Sequence, residues 1–293
     1  MGVGRMHFNS YWYLGLGALS LILLIYVFVK TKSMRTLLLF LSVVGIGFVI
    51  EAVIYNFLHS YQYYPKFIKH DPFYDSNMGA IASNAFALPV VATFLATLRK
   101  NWIWILFFVA LFAFIEWLFL KLNIYSHNWW RIGFTSMGLP FYFYTAKFLY
   151  QKISLPLNGI MHSVVLFLIL GPISGDLHIS PIMFFESRHY LPGWFEDPAE
   201  DTTAFAAIFY LCACLVYVVF AKLKWKIEWL KYVCIALCMW LANFILKKVG
   251  ILHSYVWWDL WYYIFISMII LKLAILISKQ LTNGPPPHQS KWR

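Results

Sequence analysis

His253-Ser254-Tyr255-Val256-Trp257-Trp258 closes one long apolar run and opens the next. A close relative, Tyr125-Ser126-His127-Asn128-Trp129-Trp130, stands 128 positions earlier, with His and Tyr exchanged about the central Ser. A looser version, His59-Ser60-Tyr61-Gln62-Tyr63-Tyr64, lies earlier still. Between these hexads the chain is almost wholly apolar. Of 293 residues, 62% are hydrophobic and 20% aromatic. Only 12% are charged, against about 25% in soluble domains. That leaves too little polar surface to cover a water-soluble globule, so lipid is the solvent for most of the chain. Helices satisfy every backbone group without water, and the sequence reads as an all-α polytopic membrane protein.

Crossing the hydrocarbon layer takes about 20 apolar residues. Nine runs meet that length, near 11–30, 36–58, 79–98, 102–121, 132–152, 155–175, 203–222, 227–249 and 259–278. The first is too long and too basic at its end for the apolar core of a secretory signal, and reads as a retained span. The net charge of +11 does not point to nucleic acid, because no polar domain exists to carry a basic patch. Lys and Arg instead gather in short groups at the ends of the runs. Lys30, Lys32 and Arg35, Arg99 and Lys100, Lys152, and Lys222, Lys224 and Lys226 follow odd-numbered runs. The positive-inside rule makes those turns cytoplasmic. It predicts a multi-pass cell-membrane protein with its N-terminus outside and its C-terminus inside. Lys66, Lys69, Lys247 and Lys248 fall on the opposite side. Cys212, Cys214, Cys234 and Cys238 all lie within apolar runs, which argues against a disulfide framework and for small buried hydrophobes.

A second motif repeats with the hexad. Asp71-Pro72-Phe73-Tyr74-Asp75-Ser76 and Asp197-Pro198-Ala199-Glu200-Asp201-Thr202 share Asp-Pro-x-x-Asp-[Ser/Thr], 126 positions apart. Upstream, Tyr63-Tyr64-Pro65 matches Tyr190-Leu191-Pro192. Two motifs at nearly one offset predict two parallel four-helix repeats, 36–152 and 153–280. An extra helix in 1–35 precedes them, and a disordered cytoplasmic tail, 281–293, follows.

The combination Tyr63-Tyr64-Pro65-Lys66-Phe67, Asp75-Ser76, Leu88-Pro89, Glu116-Trp117-Leu118, Tyr125 and Trp129-Trp130 resembles a family of small four-helix integral membrane proteins of spore-forming Firmicutes. The resemblance covers about 36–152 well and 155–280 more weakly. It implies a fused double copy and brings no activity with it. The second copy departs from the pattern in having no glutamate at the position of Glu116.

Three sets of residues are candidates for chemistry. The hexads place Trp129, Trp130, Trp257 and Trp258 at the outer interface, where aromatic belts form, with His127 and His253 as polar handles beside them. The repeated aspartates offer either helix caps, with Asp75 and Asp201 as the expected capping residues and Ser76 and Thr202 as alternatives, or oxygen ligands from Asp71, Asp75, Asp197 and Asp201 to a hard cation. No metal spacing supports the cation reading, and no cofactor is expected. The membrane-embedded polar residues are the sharpest lead, because ionisable groups there are costly and usually face a bundle interior or cavity. Glu51 and Glu116 lie about 12–14 Å below their hexads at 1.5 Å per residue. With Asn84 and Asn243 they are expected to face a cavity open to the outside. Asp176 and Asn243 are the nearest counterparts in the second copy. Alternatively the acids only join helices through hydrogen bonds.

No paired helical histidines, phosphate loop or nucleophile elbow is present. The expected function is therefore binding or movement of a lipid-like or small amphiphilic ligand in the outer half of the bundle. A membrane-embedded lipid- or isoprenoid-modifying enzyme and an assembly protein of the cell envelope or spore membrane remain alternatives. The expected partners are the bilayer itself and that ligand, with no nucleic acid.

Overall fold

The computed structural model describes residues 6–283, and its contacts gather into two units that divide between Leu155 and Pro156. In the first, His7 caps helix α1 (Phe8–Thr31) by accepting from Asn9 N. Ser33 caps α2 (Met34–Glu51), which runs on as a π-helical segment, Ala52–Phe57. A second rod is built from α3 (Pro72–Ile81), a π-helical segment Ala82–Ala87 and α4 (Leu88–Thr97). Pro89 has no N–H to donate into the preceding turn, and the wider π turn just before it absorbs that break. Every residue from Pro89 to Thr97 is buried, so this rod is the core of the unit, packed by α1, α2 and α6 (Ile132–Ile153). Helix α5 (Trp102–Lys121) packs on α6.

The second unit contains α7 (Gly159–Phe185), α8 (Pro198–Lys222), α9 (Leu230–Lys248) and α10 (Asp259–Thr282). Helix α10 packs on each of the other three. The expected run 155–175 is extended to 27 residues with Pro172 and Pro181 inside it, which places Asp176 within the helix. Neighbouring helices satisfy the carbonyls that such prolines free. Helix α10 also continues to Thr282, past the expected start of the tail, and Leu281 is fully buried with its carbonyl accepting from Leu157 N. The rest of that expected tail, from Gly284, lies outside the described residues.

Eight helices among the described residues are long and apolar enough to cross a membrane, so the chain has the make-up of a multi-pass membrane protein. The remaining expected run, the fifth, forms α6, a helix of 22 residues that falls short in apolarity. Gly, Ser, Thr and Tyr interrupt its hydrophobic residues, and Lys147 and Lys152 lie near its end.

The hexads are not simple ends of helices. Residues Tyr61–Tyr63 (β1) pair antiparallel with Tyr125–His127 (β2) in the register Tyr61↔His127, Gln62↔Ser126, Tyr63↔Tyr125. In the second unit Arg188–Tyr190 (β3) pairs with Leu252–Ser254 (β4), with Arg188↔Ser254 and Tyr190↔Leu252. These ribbons are tied down alike. The Ser60 carbonyl accepts from Asn128 N and Trp130 N, and the Ser187 carbonyl accepts from Tyr255 N. Tyr63 N donates to Ser76 Oγ (3.0 Å) and Tyr190 N to Thr202 Oγ1 (3.1 Å).

The aspartate motif does its work in both units in a way that reverses the expected assignment. Asp71 Oδ1 caps α3 by accepting from Phe73 N and Tyr74 N at 2.7 and 2.9 Å. Asp197 does the same for Ala199 N and Glu200 N. The first aspartate, not the second, is the cap, because the helix begins at the proline and only a residue just before it has N2 and N3 donors in reach. Asp75 and Asp201 turn back into the preceding loop. Asp75 accepts from Lys66, Phe67 and Ile68 N, and Asp201 from Gly193, Trp194 and Phe195 N. The loop turns at Lys66 (φ 62°) in one unit and Gly193 (φ 81°) in the other. All four carboxylates are thus held by backbone N–H groups, and no group of three or more potential metal ligands occurs among the described residues.

Candidate functional site

The first unit encloses a cavity of about 210 Å³ between α1, α2, the two π-helical segments, α5, α6 and the ribbon. Its polar wall comes from both motifs. Glu51, the last residue of α2, accepts through Oε1 from the Tyr61 hydroxyl and from Asn84 Nδ2. Glu116, on α5, has Oε1 2.7 Å from His127 Nε2. Tyr61 and His127 are directly opposed across the ribbon, so one cross-strand pair supports both acids. The separation of about 12–14 Å inferred from helical rise is therefore closed: the ribbon folds down over the helix ends. Glu51 borders one π-helical segment and Asn84 lies in the other. Such segments re-aim side chains and recur at functional sites.

Each carboxylate leaves Oε2 buried and without a hydrogen-bond partner among the described residues. The Glu116 side chain is only 9% exposed. The remaining wall is aromatic and aliphatic. Tyr63 and Tyr125 lie 4.9 Å apart by ring centroids, and Trp130 meets Tyr61 edge-on at 5.7 Å. Tyr13, from α1, closes the cluster and donates to the Ile124 carbonyl at 2.6 Å. Burial first, then the nearby Glu51 carboxylate, holds the Tyr61 and Tyr63 phenols well above their ordinary pKa. Burial, Tyr63 and then Glu116 do the same for Tyr125. These groups are neutral phenols at ordinary pH, able to donate to a carboxylate. No Lys or Arg among the described residues lines the cavity. Its rim carries Ile50 and Phe134, 43% and 47% exposed, and Gly138, where an added Cβ would meet nothing within 4 Å.

The second unit uses the same ribbon differently. Arg188 holds the register position of Tyr61, opposite Ser254 as Tyr61 is opposite His127. Its guanidinium makes a two-pronged ion pair with Asp259 (2.8 and 2.9 Å) and donates to the Tyr190 hydroxyl at 2.6 Å. It also lies 3.5 Å over the Tyr263 ring. Ser254 Oγ adds a bond to Asp259 at 2.6 Å. Burial disfavours the Arg188 charge, but Tyr190, Tyr263 and Asp259 outweigh it and hold the group above its ordinary pKa. His178 stands ten residues before Arg188, as Glu51 stands ten before Tyr61, and shares a hydrogen bond of 3.1 Å with Tyr190. His178 thus has the place relative to its ribbon that Glu51 has in the first unit, and Asp176 lies two residues before it. Arg188, Tyr190, Asp259 and Tyr263 are all essentially buried.

Of the residues expected from sequence, Glu51, Asn84, Glu116 and Trp130 line the cavity, with His127 behind Glu116. Trp129 is 43% exposed and donates to the Leu58 carbonyl. Asn243, His253, Trp257 and Trp258 belong to the second unit. Asn243 is buried in α9 and donates to the Met239 carbonyl. His253 bonds the carbonyl of Gly250 in its own turn. Trp257 is largely exposed, while Trp258 packs edge-on to Phe185 and Tyr262. Sequence reasoning missed Tyr13, His178, Arg188 and Asp259. Aligning Ser60-Tyr61-Gln62-Tyr63 with Ser187-Arg188-His189-Tyr190 would have exposed the arginine. No family model, curated protein or solved structure matches this chain.

Proposed function

We propose that this is a duplicated membrane protein whose first unit binds, or moves, a lipid-like or small amphiphilic ligand in the outer half of the bundle. The observation that carries the reading is the pair of carboxylates, each with an unpartnered oxygen, in a cavity whose rim is apolar. Intramembrane acids are costly and are kept where a cavity uses them. On this reading the chain crosses nine times, with α6 as the fifth crossing in addition to the eight apolar helices. Its 22 residues reach roughly 33 Å, enough for the hydrocarbon layer, and its less apolar residues are accommodated where it borders the cavity. The basic turns lie in the cytoplasm, the N-terminus outside, and the ribbons at the outer face. The matched ribbons, caps and aspartate cradles support a tandem duplication with α1 added. The likeness of the first unit to small four-helix proteins of spore-forming Firmicutes belongs to the same proposal.

The cavity exceeds the roughly 150 Å³ that admits benzene in an apolar interior, so a head group with its first methylenes fits and a longer chain leaves past Gly138. Gly138→Trp tests this. The added ring enters open space and replaces a helical glycine, so folding is preserved or improved by about 0.5–1 kcal/mol. Native mass spectrometry from lipid nanodiscs should show a small amphiphile retained by the wild type and absent from the variant. Equal retention by both proteins would remove the cavity as the binding site.

A further inference from the structure

We infer that the ligand's head group is a protonated primary amine, an inference that rests on the binding function proposed above. The second unit supplies the reason within the same molecule. At its ribbon a guanidinium occupies the register position of Tyr61, held by a carboxylate and laid 3.5 Å over a tyrosine ring. The first unit has carboxylates and aromatic faces around its cavity, yet no Lys or Arg among the described residues lines it. One unit carries its cation covalently. The other has the surroundings for one and leaves the cation to be supplied.

Three features narrow the class. A buried carboxylate without a counter-charge is costly, by several kcal/mol per ion. Glu51 has only neutral partners and Glu116 only the imidazole of His127, and both keep an Oε2 that no donor among the described residues reaches. An anionic head group would add to that cost, and a neutral alcohol brings a single donor. An ammonium compensates the charge and is drawn to the faces of Tyr and Trp rings. A primary ammonium brings three N–H donors, so it can balance the charge and still donate to an acid and to a tyrosine hydroxyl or ring. A quaternary ammonium has none, so it satisfies the charge but not the oxygens. Tyr61 and His127, opposed across the ribbon, act as positioning residues, since each holds the other oxygen of one acid.

The full chain in phosphatidylcholine nanodiscs at neutral pH tests this with three probes of equal chain length: dodecylamine, dodecanol and dodecyltrimethylammonium. Saturable binding is read above the background of the Gly138→Trp protein. Dodecylamine is expected to bind at least about tenfold more tightly than either other probe, consistent with one charge-assisted hydrogen bond at about 1.4 kcal/mol per tenfold. Glu51→Gln and Glu116→Gln should each abolish the preference for dodecylamine over dodecanol. Equal binding of dodecanol and dodecylamine to the wild type overturns the amine assignment while leaving an amphiphile site intact. Equal binding of the quaternary probe likewise overturns it. No saturable binding of any probe above background overturns both the amine and the amphiphile reading. The probe comparison on the wild type stands even if an acid variant fails to fold.

Discussion

In the first unit the ribbon strand sends Tyr61 to an acid that borders a cavity; in the second the same register position sends Arg188 to an acid inside a packed cluster. The frame around them is shared. A serine carbonyl closes the ribbon, a Ser or Thr hydroxyl holds its backbone, and one aspartate caps a helix while the next cradles a loop. What differs is whether charge is balanced within the protein. Asp259 has two guanidinium bonds and a serine, whereas Glu51 and Glu116 each keep an oxygen without a donor. If the two units are copies, as proposed, one is built for stability and the other for binding.

The largest effect that could break this contrast lies in the second unit. Asp259→Ala strands a buried arginine and should cost about 3–5 kcal/mol, read as a collapse of thermal stability in detergent. A loss under about 1 kcal/mol would mean that the cluster is not a structural keystone. Next comes Gly79→Ala in the first unit. An added Cβ there would lie 2.4 Å from Tyr63 Cβ and 2.8 Å from its Cγ, atoms too close to the backbone to swing away, so overpacking should cost about 3 kcal/mol. Phe205 follows Thr202 by the same three positions and instead packs its ring 5.0 Å from that of Tyr190. Smaller, and equal in the two units, should be Asp75→Ala and Asp201→Ala, at about 2 kcal/mol each for the loop N–H groups they release. Unequal losses in urea or thermal unfolding would show that the two frames are not equivalent.

The membrane character and the helices were legible because apolar length is a local property of sequence. Charge in the turns and the spacing of Asp71 and Asp197 were equally legible as patterns, although which aspartate caps depended on where α3 and α8 begin. Glu51, Asn84 and Glu116 stood out because an ionisable or amide group in an apolar run is anomalous wherever it points. The ribbons were not legible. Three-residue strands carry too little alternation to register, and the aromatic pattern of the hexads is equally suited to an interfacial belt. With the ribbons hidden, so was the contact of Tyr61 and His127 with the acids. Arg188 and Asp259 lie 71 residues apart, and only the pairing of β3 with β4 brings them together. Tyr13 was invisible for the same reason, since its role depends on α1 packing against the rod.

The central claim is that the acids of the first unit are kept for a ligand and not for the fold. Its most direct test is the unfolding free energy of ligand-free Glu51→Gln/Glu116→Gln in detergent, measured beside Asp259→Ala. Neutral amides remove two uncompensated carboxylates, so the double variant should match or exceed the wild type in stability while losing its bound amphiphile, the trade expected of a binding site. A loss comparable to that of Asp259→Ala would contradict the account and make Glu51 and Glu116 structural residues like the acid of the second unit.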